Sequence, residues 1–302
     1  MRAVVFDQYG PPAVLHLTDL PDPEPGPGEV LVRVHAAGVQ PFDVAVRQGT
    51  MPWVQAKFPQ QIGQEYAGVV EKLGPGVTSP EVGTPVLGST MLNGVAELVT
   101  VPAENVVPKP DNLDFPTAAA LVAASQTASG ALLELKVTAD DVLLVHAGAG
   151  SVGTIAIQLA RLAGATVIGT ASPNNHDYLR ELGAVPVAYG EGLIEAVRAT
   201  GLAPTVALDA AGGEAIAQSV ALGIAPDRVG TIVDDKAAAE VGAVVVRAGR
   251  SPQRLAEVVA LAGQGKVVMP VRTYPVESVV EAHEAVESRH GRGKVVLTIH
   301  RR

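Results

Sequence analysis

The sequence of 302 residues contains no cysteine. This absence excludes disulfide bonds, a cysteine nucleophile and every zinc or iron–sulfur site that needs thiolate ligands. The seven histidines are scattered along the chain and show neither the H-x-H nor the H-E-x-x-H spacing of metal-binding motifs. We therefore predict a protein that works without a bound metal.

Positive charge is also scarce, because 22 Lys and Arg residues face 31 Asp and Glu residues and the formal net charge is −9. With no basic stripe to offset this charge, nucleic acid is not expected as a partner. No apolar run approaches the roughly 20 residues that cross a bilayer. Residues 1–7 are typical of a strand rather than of a signal peptide. We expect a soluble, cytoplasmic protein with no membrane partner.

Glycine is concentrated in the stretch 141–153, around which the rest of the chain is organised. An apolar run precedes Gly148, Gly150 and Gly153, and apolar residues at helical spacing follow them. This order predicts a strand, a tight turn and a helix. A second apolar run, Ala165–Ala171, completes a βαβ unit of the expected size.

Such a glycine-rich turn is typical of a dinucleotide-binding site. We expect Gly148 to allow the turn, Gly150 to leave room for a diphosphate against bare backbone, and Gly153 to let the helix pack close to the strand. The diphosphate would bind at the helix N-terminus, formed by Ser151 and Val152, where unpaired N–H groups and the helix dipole favour negative charge. The G-x-S-x-G frame of a hydrolase nucleophile is absent around Ser151, so a hydrolase is not predicted.

The residues after the second strand indicate which dinucleotide is bound. An NAD site usually has Asp or Glu about 20 residues after the glycines, whereas this chain has Ser172, Asn175, His176 and, further on, Arg180. These side chains can donate hydrogen bonds to a 2′-phosphate that a carboxylate would repel, so we predict NADP(H). Ser172 followed by proline is also typical of an ordinary helix N-cap, and both roles can hold together. The carboxylate of Asp177, next to His176, would repel a 2′-phosphate and so argues against this prediction.

The composition changes twice along the chain. Residues 1–120 carry short Val-rich runs separated by Pro and Gly clusters, which predicts a compact barrel-like domain. Residues 121–266 alternate Ala-rich helical segments with apolar strands, which predicts a doubly wound parallel sheet. Residues 267–302 again have short Val-rich runs like those of residues 1–120, with a strand predicted at Val267–Val271. We therefore predict that 121–266 is inserted into a domain formed by 1–120 and 267–302.

Three segments resemble the medium-chain dehydrogenase/reductase superfamily and, within it, the zinc-independent quinone oxidoreductase branch. They are residues 36–43 (AAGVQPFD), 63–70 (GQEYAGVV) and 293–297 (GKVVL), and they occur in family order over nearly the whole chain. The resemblance implies an α/β fold in which a GroES-like β-barrel-type catalytic domain carries an inserted Rossmann domain. Zinc-containing members have a cysteine where Gln40 stands and a His–Glu pair that is Gln–Glu here. Glu65 alone cannot hold a catalytic zinc, which takes three protein ligands.

The resemblance implies hydride transfer from NADPH to a quinone or an α,β-unsaturated carbonyl, for which the protein supplies orientation and hydrogen bonds. It places the nicotinamide in the cleft between the domains, near Gln40, Thr127 and Lys294. Gln40 is expected to donate an N–H group, and Thr127 to bind the carboxamide or the ribose. Tyr66 is the candidate proton donor, and the alternative is an aromatic side chain that closes the pocket wall.

Other interpretations stay open at this point. The chain can be a non-catalytic NADPH-binding protein, or a metal-free alcohol or ketone dehydrogenase, against which the missing zinc ligands count. His146, at the end of the glycine-rich strand, is assigned either to packing or to a cofactor contact. Asp43 and Arg47 lie four residues apart on one predicted helix and can form a structural pair.

The apolar run Val241–Val246 is predicted as a strand at the edge of the doubly wound sheet. Unpaired backbone groups at such an edge invite another strand, and a two-fold axis lets two copies cover each other. We therefore predict a homodimer formed through this strand. The alternative is that the run is buried under a helix of the same chain.

Overall fold

The computed structural model describes residues 1–300. The chain divides into two compact units, and each is described by itself. The first unit contains Met1–Ala123, Ser251–Gly265 and the segment that begins at Met269, and the second contains Ala124–Arg250 and Lys266–Val268. Among the described residues, no helix has both the length and the apolar character needed to cross a membrane.

Most strands are short, as the frequent Pro and Gly residues predict, and β3 and β5 are the longer ones. In chain order they are β1 (Arg2–Phe6), β2 (His16–Asp19), β3 (Glu29–Val39), β4 (Gln60–Gln61), β5 (Glu65–Leu73), β6 (Pro85–Ser89), β7 (Leu98–Pro102), β8 (Val106–Pro108), β9 (Val142–His146), β10 (Thr166–Ala171), β11 (Val185–Ala188), β12 (Val206–Asp209), β13 (Val229–Thr231), β14 (Val244–Val245), β15 (Val271–Pro275) and β16 (Lys294–Thr298).

The helices are concentrated in the middle of the chain, where alanine is frequent. In chain order they are α1 (Pro41–Gln48), α2 (Phe115–Glu134), α3 (Ser151–Leu162), α4 (His176–Glu181), α5 (Leu193–Ala199), α6 (Ala215–Ala221), α7 (Asp235–Val241), α8 (Pro252–Gly263) and α9 (Val279–Glu287). The first half of α2 belongs to the first unit and its second half to the second unit.

The first unit is built on a seven-stranded sheet in the order β15–β16–β3–β5–β6–β8, with β7 also paired to β3. A smaller sheet has the order β2–β1–β4. The long strand β3 places Val30, Val32 and Val34 in the core, because alternate residues of a strand point to the same face. Tyr66 on the neighbouring strand β5 and Phe6 on β1 of the smaller sheet complete this core. The predicted barrel-like character of this part of the chain is confirmed.

The second unit contains a parallel sheet in the order β11–β10–β9–β12–β13–β14. The chain proceeds outward from β9 to β11 and then returns to β12 on the other side of β9, so the order reverses between β9 and β12. In doubly wound sheets, ligands bind outside the carboxyl ends of the strands at such a reversal. The predicted α/β fold with a Rossmann-type sheet is confirmed, and the glycine-rich turn after β9 lies at the reversal.

The predicted strand at Val241–Val246 is wrong in its extent. Val241 is the last residue of α7, and Gly242 caps that helix in the left-handed conformation with φ 77°, a region in which glycine carries no Cβ penalty. Only Val244–Val245 form a strand, and this strand does lie at the edge of the parallel sheet, beside β13. An apolar run of six residues is therefore divided between a helix end and a short edge strand.

The predicted strand at Val267–Val271 is also wrong, because β15 begins where the prediction ends. Val268 is held instead by a helix side chain: its N–H donates to Oε1 of Gln158 at 2.8 Å, and its carbonyl accepts from Nε2 of Gln158 at 2.9 Å. The backbone groups that a strand partner would bind are thus satisfied by an amide on α3.

The predicted division into 1–120 with 267–302 and 121–266 differs from the observed units mainly at Ser251–Gly265, which contains α8. This segment belongs to the first unit. Nδ2 of Asn112 donates to the carbonyl of Gly263 at 2.8 Å, at the end of α8, and Gly263 lies against the ring of Pro110. The domain boundaries remain a prediction.

Candidate functional site: a glycine-rich turn and a buried ion pair

The turn after β9 has its left-handed residue at Ala147, with φ 57°, and not at Gly148. Gly148 donates its N–H to the carbonyl of Thr170 at 2.8 Å. A Cβ atom at Gly148 would lie 3.2 Å from Cδ1 of Ile157 and 3.3 Å from Cδ2 of Leu179. The expectation that Gly148 supplies the turn conformation is therefore corrected, because what this position supplies is space.

Gly153 is required by the packing of the protein itself. A Cβ atom there would lie 2.4 Å from the carbonyl oxygen of Ala147 and 2.7 Å from Cα of Gly148. No side chain can occupy that space without moving the backbone of the turn. This close contact with the turn agrees with the packing role predicted for Gly153, and a role of Gly153 in cofactor binding stays a prediction.

Gly150 has a different environment. A Cβ atom at this position would meet only the carbonyl oxygen of Ala147, at the ordinary distance of 3.4 Å. Gly150 is the N-cap of α3, and no side chain caps this helix. The first-turn N–H groups, including those of Ser151 and Val152, have no partner within the helix because of their position. The turn therefore presents backbone donors at the positive end of a twelve-residue helix.

His146 precedes this turn and is buried. Its Nε2 lies 2.9 Å from Oγ of Ser219, whose hydroxyl donates to the carbonyl of Ala215 at 2.8 Å. Burial lowers the pKa of His146 to about 4, so the ring is neutral at pH 7. Of the two interpretations, the structure favours packing and hydrogen bonding within the sheet.

Three of the four predicted phosphate-binding side chains lie together at the carboxyl end of β10. Nδ2 of Asn175 donates to Oγ of Ser172 at 3.3 Å, and Nε2 of His176 lies 3.3 Å from the carbonyl of Ala171. Ser172 makes no side-chain cap to the backbone of the short helix that it precedes. Arg180 contacts Asp177 instead, with Nη1 2.5 Å from Oδ1, and both side chains are exposed.

Asp209, at the end of β12, closes its own turn. The carboxylate accepts from the N–H groups of Ala211 and Gly212, each at 2.8 Å, and from Oγ1 of Thr231 at 2.7 Å. These contacts keep the buried charge satisfied. The segment that begins at Asp209 therefore has the geometry of a strand-to-helix turn.

In the first unit, Glu65 and Lys294 form an ion pair with both side chains almost completely buried. Oε2 of Glu65 also accepts from the backbone N–H of Ala123, in α2, at 2.7 Å. A Cβ atom at Gly38 would lie 2.1 Å from Oε1 of Glu65, so only glycine fits there. The pair thus connects β5, β16 and α2. Lys294, predicted as a cofactor contact, binds a carboxylate of its own unit.

The pairing of Glu65 with Lys294 is not among the sequence-based predictions. Those predictions treat Glu65 only as an insufficient zinc ligand and Lys294 only as a cofactor contact. The signal that could have found the pair is the occurrence of one acidic and one basic residue in two segments that are otherwise uncharged and mostly apolar, because buried charges need partners.

Gln40 is the N-cap of α1 and is half-buried. Its backbone N–H donates to Oδ2 of Asp43 at 3.0 Å, and its Nε2 donates to Oε1 of Gln64 at 3.0 Å. At the other end of α1, the guanidinium of Arg47 is fully buried and binds the carboxylate of Glu287 on α9. Helix α1 is thus fixed at both ends, and Gln40 has a defined position.

Tyr66 lies in the apolar core of the first unit. Burial raises the pKa of its hydroxyl well above the ordinary value, and that hydroxyl has no hydrogen-bond partner among residues 1–300. Tyr66 faces Gly88, where a Cβ atom would lie 2.7 Å from the hydroxyl oxygen. A buried phenol with a raised pKa is a poor source of protons, which favours the packing alternative. Thr127, half-buried on α2, belongs to the second unit.

No group of three His, Cys, Asp or Glu side chains that could hold a metal ion is present within residues 1–300. The residues at the positions of the family's catalytic zinc ligands do not form such a set, because Nε2 of Gln40 donates to Gln64 and Glu65 binds Lys294. At these positions the side chains form two pairs instead: the amides of Gln40 and Gln64 are hydrogen-bonded, and Glu65 forms an ion pair with Lys294.

Two family models match the chain, the alcohol dehydrogenase GroES-like domain over residues 26–111 and the zinc-binding dehydrogenase over residues 182–297. Quinone oxidoreductase of Rattus norvegicus is 37% identical over 174 residues, which cover 57% of this chain and 53% of that protein. The chain thus spans about half the length of this relative. It spans 8% of a Mycobacterium tuberculosis phthioceranic/hydroxyphthioceranic acid synthase, to which it is 39% identical over 161 residues.

Solved structures match over the whole chain. The quinone oxidoreductase from Coxiella burnetii is 31% identical with a TM-score of 0.89, and 99% of each chain is covered. An NAD-dependent alcohol dehydrogenase is 30% identical with a TM-score of 0.87, covering 99% of this chain and 100% of that one. The mycobacterial protein Rv1454c, complexed with NADPH, is 28% identical with a TM-score of 0.84, covering 99% and 100%.

These matches agree with the fold of both units and with the order of the three sequence segments. The GroES-like model covers strands β3 to β8 of the first unit, and the Coxiella burnetii structure is matched almost from end to end at more than 30% identity. The chain therefore belongs to the medium-chain dehydrogenase/reductase superfamily, in its quinone oxidoreductase branch.

Proposed function

We propose that the protein is an NADPH-dependent reductase that transfers hydride to a quinone or an α,β-unsaturated carbonyl without zinc. The observation that carries the proposal is the start of α3, a helix that follows a sheet strand at a point of strand reversal and has no side-chain cap. Backbone N–H groups in this position bind the diphosphate of a dinucleotide. The open space at Gly150 supports the same role.

The polar group at the end of β10 supports NADPH over NADH. Ser172, Asn175 and His176 lie together there, and none of them carries a negative charge. Hydroxyl, amide and imidazole N–H groups can all donate to a 2′-phosphate. Arg180 would have to leave Asp177 to join them, which makes it the weakest member of the predicted set.

A bound nicotinamide would supply the hydride, and the acceptor must already be electrophilic because no metal polarises it. In this proposal, Nε2 of Gln40 donates a hydrogen bond to the acceptor oxygen as negative charge develops there. One of the two Nε2 hydrogens is donated to Gln64, and the other is available for a ligand. Thr127 binds the carboxamide or the ribose. The role of Tyr66 as proton donor stays a prediction that its burial disfavours.

The experiment that tests the activity is an NADPH oxidation screen over quinones, enones and enoyl thioesters, with purified protein treated with a chelator. Turnover in the first two classes supports the proposal. Tight NADPH binding without turnover of any acceptor would favour a non-catalytic NADPH-binding protein. Stoichiometric zinc in the protein, with activity lost to the chelator and restored by metal, would contradict the metal-free chemistry.

We also propose a homodimer that pairs the edge strand β14 with the same strand of a second copy. Val244–Val245 form the outermost strand of the parallel sheet, and this edge exposes backbone donors and acceptors. Val245→Lys places a charge at that edge and is expected to yield monomer. Light scattering of the wild-type protein at the monomer mass would contradict the dimer.

A further inference from the structure

All the sulfur of the chain is in thioethers, because the sequence contains four methionines and no cysteine. The four methionines differ in exposure. Met91 is 59% exposed, whereas Met269 is 6% exposed and Met1 and Met51 are half-buried. An oxidant in solution therefore reaches the sulfur of Met91 more easily than that of the other three.

Met91 lies in the loop that follows β6, and this loop is bound at two points to the segment that precedes β5. The N–H of Thr90 donates to the carbonyl of Gln64 at 2.9 Å, and the N–H of Gly94 donates to the carbonyl of Gly63 at 3.1 Å. The backbone on both sides of Met91 is therefore held in place, although most of the Met91 side chain faces outward.

One side of the Met91 sulfur is covered by a buried amide. Nε2 of Gln64 donates to Sδ of Met91 at 3.7 Å, and Gln64 is buried. A thioether sulfur has two lone pairs, and it accepts hydrogen bonds only weakly. One lone pair thus faces Gln64, and the other faces outward. A small oxidant in solution can approach the sulfur only from the outward side.

We propose that Met91 is a site of reversible oxidation by peroxides, at which Gln64 determines which of the two sulfoxide epimers forms. The outward lone pair of Sδ attacks one oxygen of hydrogen peroxide, so that an S–O bond forms and the O–O bond breaks. Sulfur is oxidised by two electrons, and the peroxide is reduced to water because the proton of the transferred hydroxyl passes to the leaving hydroxide. Methionine sulfoxide reductases reverse the reaction, with one enzyme for each epimer.

Oxidation of Met91 changes the hydrogen bonds of the amide pair formed by Gln40 and Gln64. Oε1 of Gln64 accepts from Nε2 of Gln40, while Nε2 of Gln64 faces the sulfur. The sulfoxide has a strong acceptor on its oxygen and a sulfur that accepts poorly, so the amide of Gln64 has to reorient. This proposal does not rest on the proposed reductase function, because it concerns only side chains of the first unit.

The test is graded oxidation of the folded protein with hydrogen peroxide, followed by peptide mass spectrometry. Met91 is expected to gain an oxygen atom before the other three methionines. Treatment with either epimer-specific reductase alone is expected to show a preference of about tenfold for one epimer, which corresponds to about 1.4 kcal/mol between the two approaches to sulfur. Protein oxidised in urea, where no side chain covers the sulfur, should contain the two epimers in similar amounts.

Three variants separate the parts of the proposal. Gln64→Ala removes the side chain that covers the sulfur and is expected to give both epimers in similar amounts, while Met91 still reacts first. Met91→Leu removes the first uptake of oxygen, and the matched control Met51→Leu should leave it unchanged. The comparison of folded protein with protein oxidised in urea needs no variant, so the test does not depend on the folding of Gln64→Ala.

The change in the amide pair is followed by NMR of the side-chain amide groups. In the wild-type protein, the signals of Gln40 and Gln64 are expected to shift on oxidation and to return after enzymatic reduction, whereas in Met91→Leu they should not respond to peroxide. Equal reactivity of Met51 and Met91, similar amounts of the two epimers in the folded protein, or amide signals that oxidation leaves unchanged would each overturn the proposal.

Discussion

One site in each unit shows a contrasting use of polar groups. In the second unit, α3 begins without a side-chain cap, and half-buried polar side chains gather at the end of β10. In the first unit, Glu65 and Lys294 are buried and bind each other. Backbone N–H groups that have no partner within their helix at a sheet reversal are available to a ligand, whereas buried side chains that satisfy each other hold elements together. A charged residue of a family motif, such as Glu65, can therefore stabilise the fold, while backbone N–H groups at the start of α3 are the ones available to bind a ligand.

The largest effect is expected at the buried pair. Lys294→Met leaves the Glu65 carboxylate buried without its counter-charge, and such a change costs about 3 to 5 kcal/mol. Urea unfolding followed by circular dichroism measures the loss. The double variant Glu65→Gln/Lys294→Met removes both charges and is expected to recover much of it.

A matched control for this prediction is Lys72→Met, which removes one partner of the exposed pair formed by Lys72 and Glu24. Exposed ion pairs contribute little to stability, so the unfolding curve should hardly move. If Lys294→Met were as stable as Lys72→Met, the buried pair would not be the connection that we describe.

The glycine-rich turn allows a second test within one loop. Gly153→Ala places a Cβ atom 2.4 Å from the carbonyl oxygen of Ala147, and overpacking of this kind costs about 3 kcal/mol. In Gly150→Ala the added Cβ atom would lie 3.4 Å from its nearest neighbour, the carbonyl oxygen of Ala147. We expect this variant to have the melting temperature of the wild type. Its effect should appear in NADPH affinity, measured by isothermal titration calorimetry, because the added methyl group occupies the space assigned to the diphosphate. Equal loss of stability in the two variants would contradict this distinction.

A third prediction concerns His283, which is buried on α9 with neither ring nitrogen bonded to a partner among the described residues. Burial, and then the charge of Arg47, lower the pKa of His283 to about 3. Because the folded pKa lies below the unfolded value of about 6.5, the neutral ring stabilises the fold above pH 6.5, and this stability is lost as the pH falls toward 3. Between pH 6.5 and 5 the loss is about 2 kcal/mol.

The comparison of wild type with His283→Leu isolates this contribution, because the other titrating groups are common to both proteins. Urea unfolding at pH 6.5 and pH 5 is expected to show a smaller decrease for the variant. An identical pH dependence in the two proteins would mean that folding does not lower the pKa of His283.

Many elements could be predicted from the sequence because their patterns are local. The strand, turn and helix between Val142 and Leu162 follow from apolar periodicity and three glycines, and the doubly wound sheet follows from alternation. The two wrong strand predictions fall on apolar runs whose structure depends on residues elsewhere in the chain or on a helix end. Val241–Val246 is divided by the glycine that ends α7, and Val268 is bound by Gln158 from α3. Neither partner is visible in a local window.

The candidate site, like the fold, was predictable where it depends on a local motif and not where it depends on contacts between distant residues. The close packing at Gly153 follows from a motif, whereas the turn conformation predicted for Gly148 is found at Ala147, which adopts the left-handed conformation at a cost that the fold supports. The Glu65–Lys294 pair joins residues more than 200 positions apart, and only the sheet pairing of β16 with β3 and of β3 with β5 brings them together.

The smallest expected effect is at the end of β10. Ser172→Asp places a carboxylate beside Asn175 and His176, where it would repel a 2′-phosphate and remove one donor. We expect NADPH binding to weaken by about 1.5 kcal/mol, the lower end of the range for hydrogen bonds to charged groups, and NADH binding to hold or improve. Calorimetric titration of both nucleotides into the variant checks this, and equal weakening of both would point to a folding defect.

The central claim, that the second unit presents an NADPH site at α3 and β10, is tested most directly by calorimetric titration of the wild-type protein with NADPH and with NADH under the same conditions. The account predicts that NADPH binds at least about tenfold more tightly, a difference of about 1.4 kcal/mol. NADH binding as tightly as NADPH would contradict it.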